Sequence, residues 1–297
     1  MSIPESQFET WSHQGSISQS ATTYETIRSA LKDPKAPFAS KNFDIFLQGS
    51  YGNSTNIYAD SDVDIVICLS STYYSDTDGL SASEKALFES HRSPASYGFQ
   101  EFKSEVLAWL RFKFGSTVSE GKKAIAIPSN GSRRDADVLV CAEHHRYTKF
   151  PTHGAPSFHK GIVFWTTDGK MIINFPKQHL ANCSAKHQAC SLRFKPNVRV
   201  LKNMRGAMVS KGFISSGEAP SYFLEGMLWN VPASQFQPSY QQTVLNSIVW
   251  LNECDPTKLA CANDLHWLIR DGSDICWNLA DFKKTKAGLW KLWESWS

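Results

Sequence analysis

Two carboxylates alternate with one apolar residue in Asp62-Val63-Asp64, and the chain runs on as Ile65-Val66-Ile67. Residues two apart in an extended strand share a face. Asp62 and Asp64 therefore point the same way, and like charges so placed call for a cation between them. A second acidic strand reads Arg133-Arg134-Asp135-Ala136-Asp137-Val138-Leu139-Val140, with Asp135 and Asp137 on one face. Three strand carboxylates converging on one site would hold two Mg²⁺ ions (or Mn²⁺). Such a pair clamps the attacking oxygen, the leaving oxygen and the phosphates of an in-line displacement. Gly49-Ser50 suits the phosphate half of that task. Glycine lets the backbone approach a phosphate, and N–H groups plus a hydroxyl can bond its oxygens.

These residues need rigid elements to hold them. A short strand over Phe43 to Leu47 precedes the Gly-Ser turn, and Val63 to Leu69 forms the next strand. Ser71 to Gly79 reads as a polar loop. A helix then starts near Ser81 or Ser83, with Glu84 in its first turn. Phe99, Phe102, Val106, Leu110 and Phe114 recur at helical steps, so Tyr97 to Phe114 is an amphipathic helix that stops at Gly115. Asn130-Gly131 joins strands Lys123 to Pro128 and Asp135 to Cys141, and Asp168-Gly169 turns a hairpin between His159 to Thr166 and Lys170 to Phe175. Two helical pieces precede residue 40, the better one running from Ser20 to Leu31.

From about residue 190 the pattern becomes helical: Pro196 to Gly212, Ser221 to Leu228, Ser239 to Leu251, and a Trp-rich tail from Ala280 to Trp296. On the first of these, Arg199, Lys202 and Arg205 make a basic stripe beside an apolar one, a natural triphosphate partner. The fold class expected is α+β: a mixed sheet with flanking helices over residues 1–190, then a helical lobe over 191–297.

Composition narrows the function classes. The chain has 297 residues and 10 Trp, enough for a substantial core. A net charge of +3 does not demand a nucleic-acid partner, and nucleic-acid binding is not expected. No apolar run is long enough to span a membrane, and no secretory leader is read at the N-terminus. Seven scattered Cys without framework spacing suit reduced thiols in a cytoplasmic protein. His179, Cys183, His187 and Cys190 all could ligate zinc, but their spacing is not that of a finger, and the segment reads as a polar loop. His144-His145 finds no supporting residue nearby in the sequence.

The motifs together resemble the cGAS/DncV-like nucleotidyltransferases of bacterial CBASS anti-phage systems, within the polymerase-β-like superfamily. The resemblance rests on Gly49-Ser50-Tyr51-Gly52-Asn53-Ser54-Thr55 with Ser61-Asp62-Val63-Asp64, and on Asp137-Val138-Leu139. It also rests on Phe194-Lys195-Pro196, the Arg199 to Arg205 segment, Ala219-Pro220-Ser221-Tyr222-Phe223-Leu224-Glu225-Gly226 and Asn230-Val231-Pro232, and so covers roughly residues 40 to 295.

It implies a polymerase-β-like core, a helical lobe and an active site in the cleft between them. It also implies roles for individual residues. Gly49 and Ser50 would hold the donor triphosphate, Asp62 and Asp64 would bind both metals, and Asp137 would bind the catalytic metal and help activate the attacking hydroxyl. Lys202 and Ser221 would touch the triphosphate, and Tyr222 would stack on a base, although an aromatic at such a position can equally be plain core.

The implied activity is the joining of NTPs, with release of pyrophosphate, into a cyclic dinucleotide second messenger for a downstream effector, by a protein expected to be monomeric. The competing readings are a cyclic trinucleotide synthase, a linear oligonucleotide synthetase, an RNA-end transferase, and a catalytically dead nucleotide sensor.

Overall fold

In the computed structural model, residues 3–15, 17–58 and 62–296 are described. The elements run α1 (Glu5–Ser12), α2 (Ser18–Leu31), β1 (Phe43–Leu47), α3 (Gly49–Gly52), β2 (Val63–Asp76), α4 (Ala82–His91) and α5 (Phe99–Phe114). Then come β3 (Ser119–Glu120), β4 (Ile125–Ile127), β5 (Ala136–Lys149), β6 (Ser157–Trp165), β7 (Met171–Asn174) and α6 (Pro176–Ala189). The chain ends with α7 (Phe194–Ser210), α8 (Ser221–Asn230), α9 (Tyr240–Glu253) and α10 (Leu279–Glu294).

These elements fall into two compact units that are not contiguous halves of the chain. One comprises Ser18–Gln48 and Ser61–Pro176; the other comprises Met1–Ile17, Gly49–Asp60 and Lys177–Ser297. The α+β content follows expectation. The change of unit falls at residue 176 rather than 190, and two early segments go with the helical unit.

The sheet unit is built on a seven-stranded mixed sheet with the order β1-β2-β5-β4-β3, to which β6 adds on β5 and β7 on β6. Among the described strands of this sheet, β2 and β5 are the parallel pair. A parallel pair needs a long crossover, and α5 supplies it, packing on both strands. Its apolar positions Phe99, Phe102, Val106 and Leu110 are all buried, and Phe102 meets Phe38 edge-on at 5.6 Å. Gly115 ends the helix with φ 93°, a left-handed angle that disfavours other residues. Ser81 and Glu84 close a capping box at the start of α4.

Two expected loops are not loops. Ser71 to Asp76 continues β2 past a register shift between Leu69 and Tyr73, and β5 runs on alongside it to Lys149. The segment expected as a polar loop around His179 is α6.

The core of the helical unit is built on Val198, Leu201, Met204 and Met208 of α7, Leu224, Met227 and Leu228 of α8, and Phe282, Leu289 and Leu292 of α10. Most of the Trp-rich tail is helix α10, with Trp277 just before it and Trp296 just after it. Trp277 is buried and donates its indole N–H to the Glu218 carbonyl, and Trp293 stacks on Phe8 of α1. Glu5 of α1 accepts from the backbone N–H groups of Tyr240 and Gln241, capping α9 from outside its own sequence. None of the described helices is long and apolar enough to cross a membrane.

Candidate active site

In the sheet unit, β2 and β5 pair so that Asp64 lies directly beside Asp137 and Val63 beside Ala136. Partners in a parallel ladder put their side chains on the same face. The Val63 N–H donates to the Asp135 carbonyl at 3.0 Å, which fixes the register at this end. The residues alternating with the acids, Val63, Ile65, Ala136 and Val138, are buried, so the hydrophobic face pins the acidic face in place. Asp62 is exposed and stands two residues before Asp64.

Asp135 is not equivalent to Asp137. It accepts the Ser129 N–H at 2.7 Å and so closes the Ser129 to Arg134 turn. Asp137 is half-buried, and its pKa is raised first by burial and then by the charges of Asp62 and Asp135. Carboxylate oxygens are the ligands a hard cation such as Mg²⁺ takes, but Asp62, Asp64 and Asp137 do not form a ligand cluster among the described residues.

In the helical unit, Gly49 adopts φ 65° and opens the single turn α3. The turn is closed by Asn53 N–H to the Gly49 carbonyl and Thr55 N–H to the Ser50 carbonyl. Helix α7 grips the segment that follows. Arg199 donates to the carbonyls of Ser12 and Ser54, and Lys202, only 1 % exposed, donates to the Thr55 carbonyl at 3.1 Å. The basic stripe expected to face a triphosphate therefore holds the backbone of the Gly-Ser loop. Its third member, Arg205, donates to Ser221 Oγ at 2.9 Å at the start of α8. The next residue, Tyr222, stacks on His179 with centroids 5.1 Å apart, and its hydroxyl accepts from Asn263 Nδ2. Burial raises the Tyr222 pKa, so the phenol stays neutral.

Three contributors escaped the sequence reading. Asn53 donates to Glu225 of α8 and ties the Gly-Ser loop to that helix. His179 backs Tyr222, as noted. Asn263 anchors the Tyr222 hydroxyl. The acid–Asn pairing spans 172 residues and no local pattern signals it. His144 and His145 lie away from the aspartates along β5. His145 is sandwiched between Tyr73 and Phe158 and bonds Glu143, while His144 is buried.

Comparisons with known proteins agree with this architecture. Residues 181–294 match the cGAS/DncV-like nucleotidyltransferase C-terminal helical domain. The chain is 37% identical to the cyclic UMP-AMP synthase of Rhodothermus marinus (strain SG0.5JP17-172), over 89% of this chain and 88% of that protein. The solved Rhodothermus marinus CdnE c-UMP-AMP synthase with Apcpp and Upnpp superposes with a TM-score of 0.88 at 33% identity, covering 99% of this chain and 98% of that one. The Elizabethkingia meningoseptica CdnE cyclic dinucleotide synthase with GTP and Apcpp superposes with a TM-score of 0.76 at 29% identity, covering 98% of each chain. With its polymerase-β-like sheet unit and its helical unit both matched along nearly the whole length, the chain belongs to the cGAS/DncV-like nucleotidyltransferases.

Proposed function

We propose that this protein joins two NTPs into a cyclic dinucleotide. The observation that carries the reading is the side-by-side register of Asp64 and Asp137, in a chain whose full-length relatives are named as cyclic dinucleotide synthases. In each of two rounds a ribose hydroxyl gives up its proton to solvent and its oxygen bonds to an α-phosphorus, the bond from that phosphorus to the α–β bridging oxygen breaks, and pyrophosphate leaves. The second round closes the linear intermediate into a ring.

Asp62, Asp64 and Asp137 would hold Mg²⁺, which when bound supplies Lewis-acid stabilisation of the phosphate oxygens. Asp137 would also orient the attacking hydroxyl. The Gly49 and Ser50 turn would receive the triphosphate, with Ser221 as a second hydroxyl contact. Lys202 would hold that loop in shape, since its ammonium donates to Thr55. Tyr222 would offer a base its ring, positioned by His179 behind it. The product would switch on an effector in cytoplasmic anti-phage defence.

Base choice is a property of the individual protein. Relatives of similar identity carry names for different pairs: UMP with AMP at 37%, dipyrimidine at 33%, dipurine at 32%. The experiment is therefore incubation with all four NTPs and Mg²⁺, followed by mass spectrometry and nuclease mapping. A phosphatase-resistant cyclic dinucleotide is expected. A linear, phosphatase-sensitive product would replace this reading with a linear synthetase, and tight NTP binding without turnover would replace it with a sensor.

A further inference from the structure

Helix α6 carries His179 and Cys183 four residues apart, hence on one face. Glu225 of α8 completes a trio whose potential ligand atoms all lie within 4.8 Å of one another, the one such set among the described residues. The trio is deeply buried: His179 is 4 % exposed, Cys183 0 % and Glu225 6 %. His187 and Cys190, the other two residues of the sequence cluster, are not part of it. His187 Nδ1 instead accepts the Lys195 N–H.

The internal hydrogen bonds do not satisfy the trio. Glu225 Oε2 accepts from His179 Nε2 at 3.1 Å and from Asn53 Nδ2 at 3.2 Å. That leaves Glu225 Oε1 and His179 Nδ1 buried without a partner among the described residues. Two orphaned polar atoms on adjacent side chains in a protein interior each carry a desolvation cost. Cys183 is unbridged, and its thiol lies against the Glu225 carboxylate.

We propose that His179, Cys183 and Glu225 form a zinc site, separate from the aspartates. A neutral imidazole, a thiolate and a carboxylate are the ligand types zinc takes, whereas Mg²⁺ prefers oxygen alone. The charges also balance, since Zn²⁺ with one thiolate and one carboxylate is neutral overall and suits an interior. Binding forms the Zn–S bond and releases the Cys183 proton to solvent, so affinity rises with pH. The ion would clamp α6 to α8. Through Asn53 and the Tyr222–His179 stack it would also stiffen the Gly-Ser loop and the ring above it. The ion would thus brace these helices with three protein ligands and one open coordination position, and its presence does not depend on which reaction the aspartates perform.

The test uses the full chain, stripped with chelator and then given Zn²⁺ or Co²⁺ with Mg²⁺ in large excess. One equivalent of zinc should survive gel filtration and raise the thermal midpoint. Co²⁺ should produce a thiolate-to-cobalt charge-transfer band in the near ultraviolet. Cys183→Ser should abolish the band, Cys190→Ser should keep it, and His179→Gln should weaken Zn²⁺ affinity by about tenfold or more. Zinc K-edge absorption on the unaltered chain should show one sulfur among lighter scatterers, a readout that does not depend on any variant folding. Substoichiometric zinc, a band that survives Cys183→Ser, or zinc surrounded by oxygen and nitrogen alone would overturn the assignment.

Discussion

Asp64 and Asp137 are register partners across the parallel strand pair β2–β5, so the two carboxylates stand on adjacent strands of one face. Like charges placed this way make ionising both carboxylates costlier, and a bound cation would relieve that cost. Two outcomes follow from one substitution. Asp137→Asn should lower product formation by about a thousandfold or more. It should also leave the thermal midpoint in chelator unchanged or higher, because a like charge is removed beside Asp62 and Asp135. Asp64→Asn should behave alike. Asp135→Asn is the contrast, since its carboxylate serves the turn at Ser129, and activity within about a few-fold of the parent is expected there. Chromatographic product assay and calorimetry on the same preparations check all three.

Lys202 gives a prediction with the opposite balance. Its ammonium is buried and donates to Thr55. Lys202→Met keeps the bulk and removes the donor, stranding a carbonyl inside the unit. The stability cost should be about 1–3 kcal/mol, read from urea unfolding. KM for NTP should rise as well, because the loop that Lys202 holds begins at Gly49. An unfolding curve indistinguishable from the parent would show that the buried contact does not hold the loop.

How much of this was legible in the sequence depends on what each segment buries. Helix α5 buries phenylalanines, a valine and a leucine at helical steps, and its pattern is plain. Helix α6 buries His179 and Cys183, so its inward face carries no apolar period and reads as loop. The far end of β2 alternates half-buried and exposed positions among Ser, Thr, Tyr and Asp, and its strand character comes from pairing with β5 some 70 residues later. Local alternation marks Asp62, Asp64, Asp135 and Asp137 alike, and the choice of Asp137 over Asp135 rests on the family resemblance, through Val138-Leu139 after it. The membership of residues 49–58 in the helical unit was not legible, because Arg199, Lys202 and Glu225 create it from far along the chain.

His144 makes acid stability measurable at one residue. It is 2 % exposed, and its pKa is pushed down to about 4, chiefly by burial, with Arg146 and His145 acting the same way and Asp76 opposing. The unfolded chain therefore takes up a proton near pH 6.5 that the folded chain refuses until about pH 4. Stability should be fully present above pH 6.5 and should fall by up to about 3 kcal/mol as pH drops through that window. His144→Leu should flatten this part of the profile. An unchanged slope in the variant would assign the acid sensitivity to other groups.

Gly49 and Ser50 separate backbone shape from hydroxyl chemistry. Gly49 has φ 65°, where a side chain costs about 1–2 kcal/mol. Gly49→Ala should therefore lower stability by about that amount and raise KM for NTP together, because the added side chain would strain the turn that would receive the triphosphate. Ser50→Ala alters no backbone angle. It should leave the unfolding midpoint in place and raise KM alone, by about tenfold for one hydrogen bond to a charged oxygen. If Gly49→Ala loses stability but binds NTP as well as the parent, the turn is a structural joint and the triphosphate is held by other residues. If Ser50→Ala lowers kcat with KM unchanged, the hydroxyl acts on the transition state rather than on the bound donor.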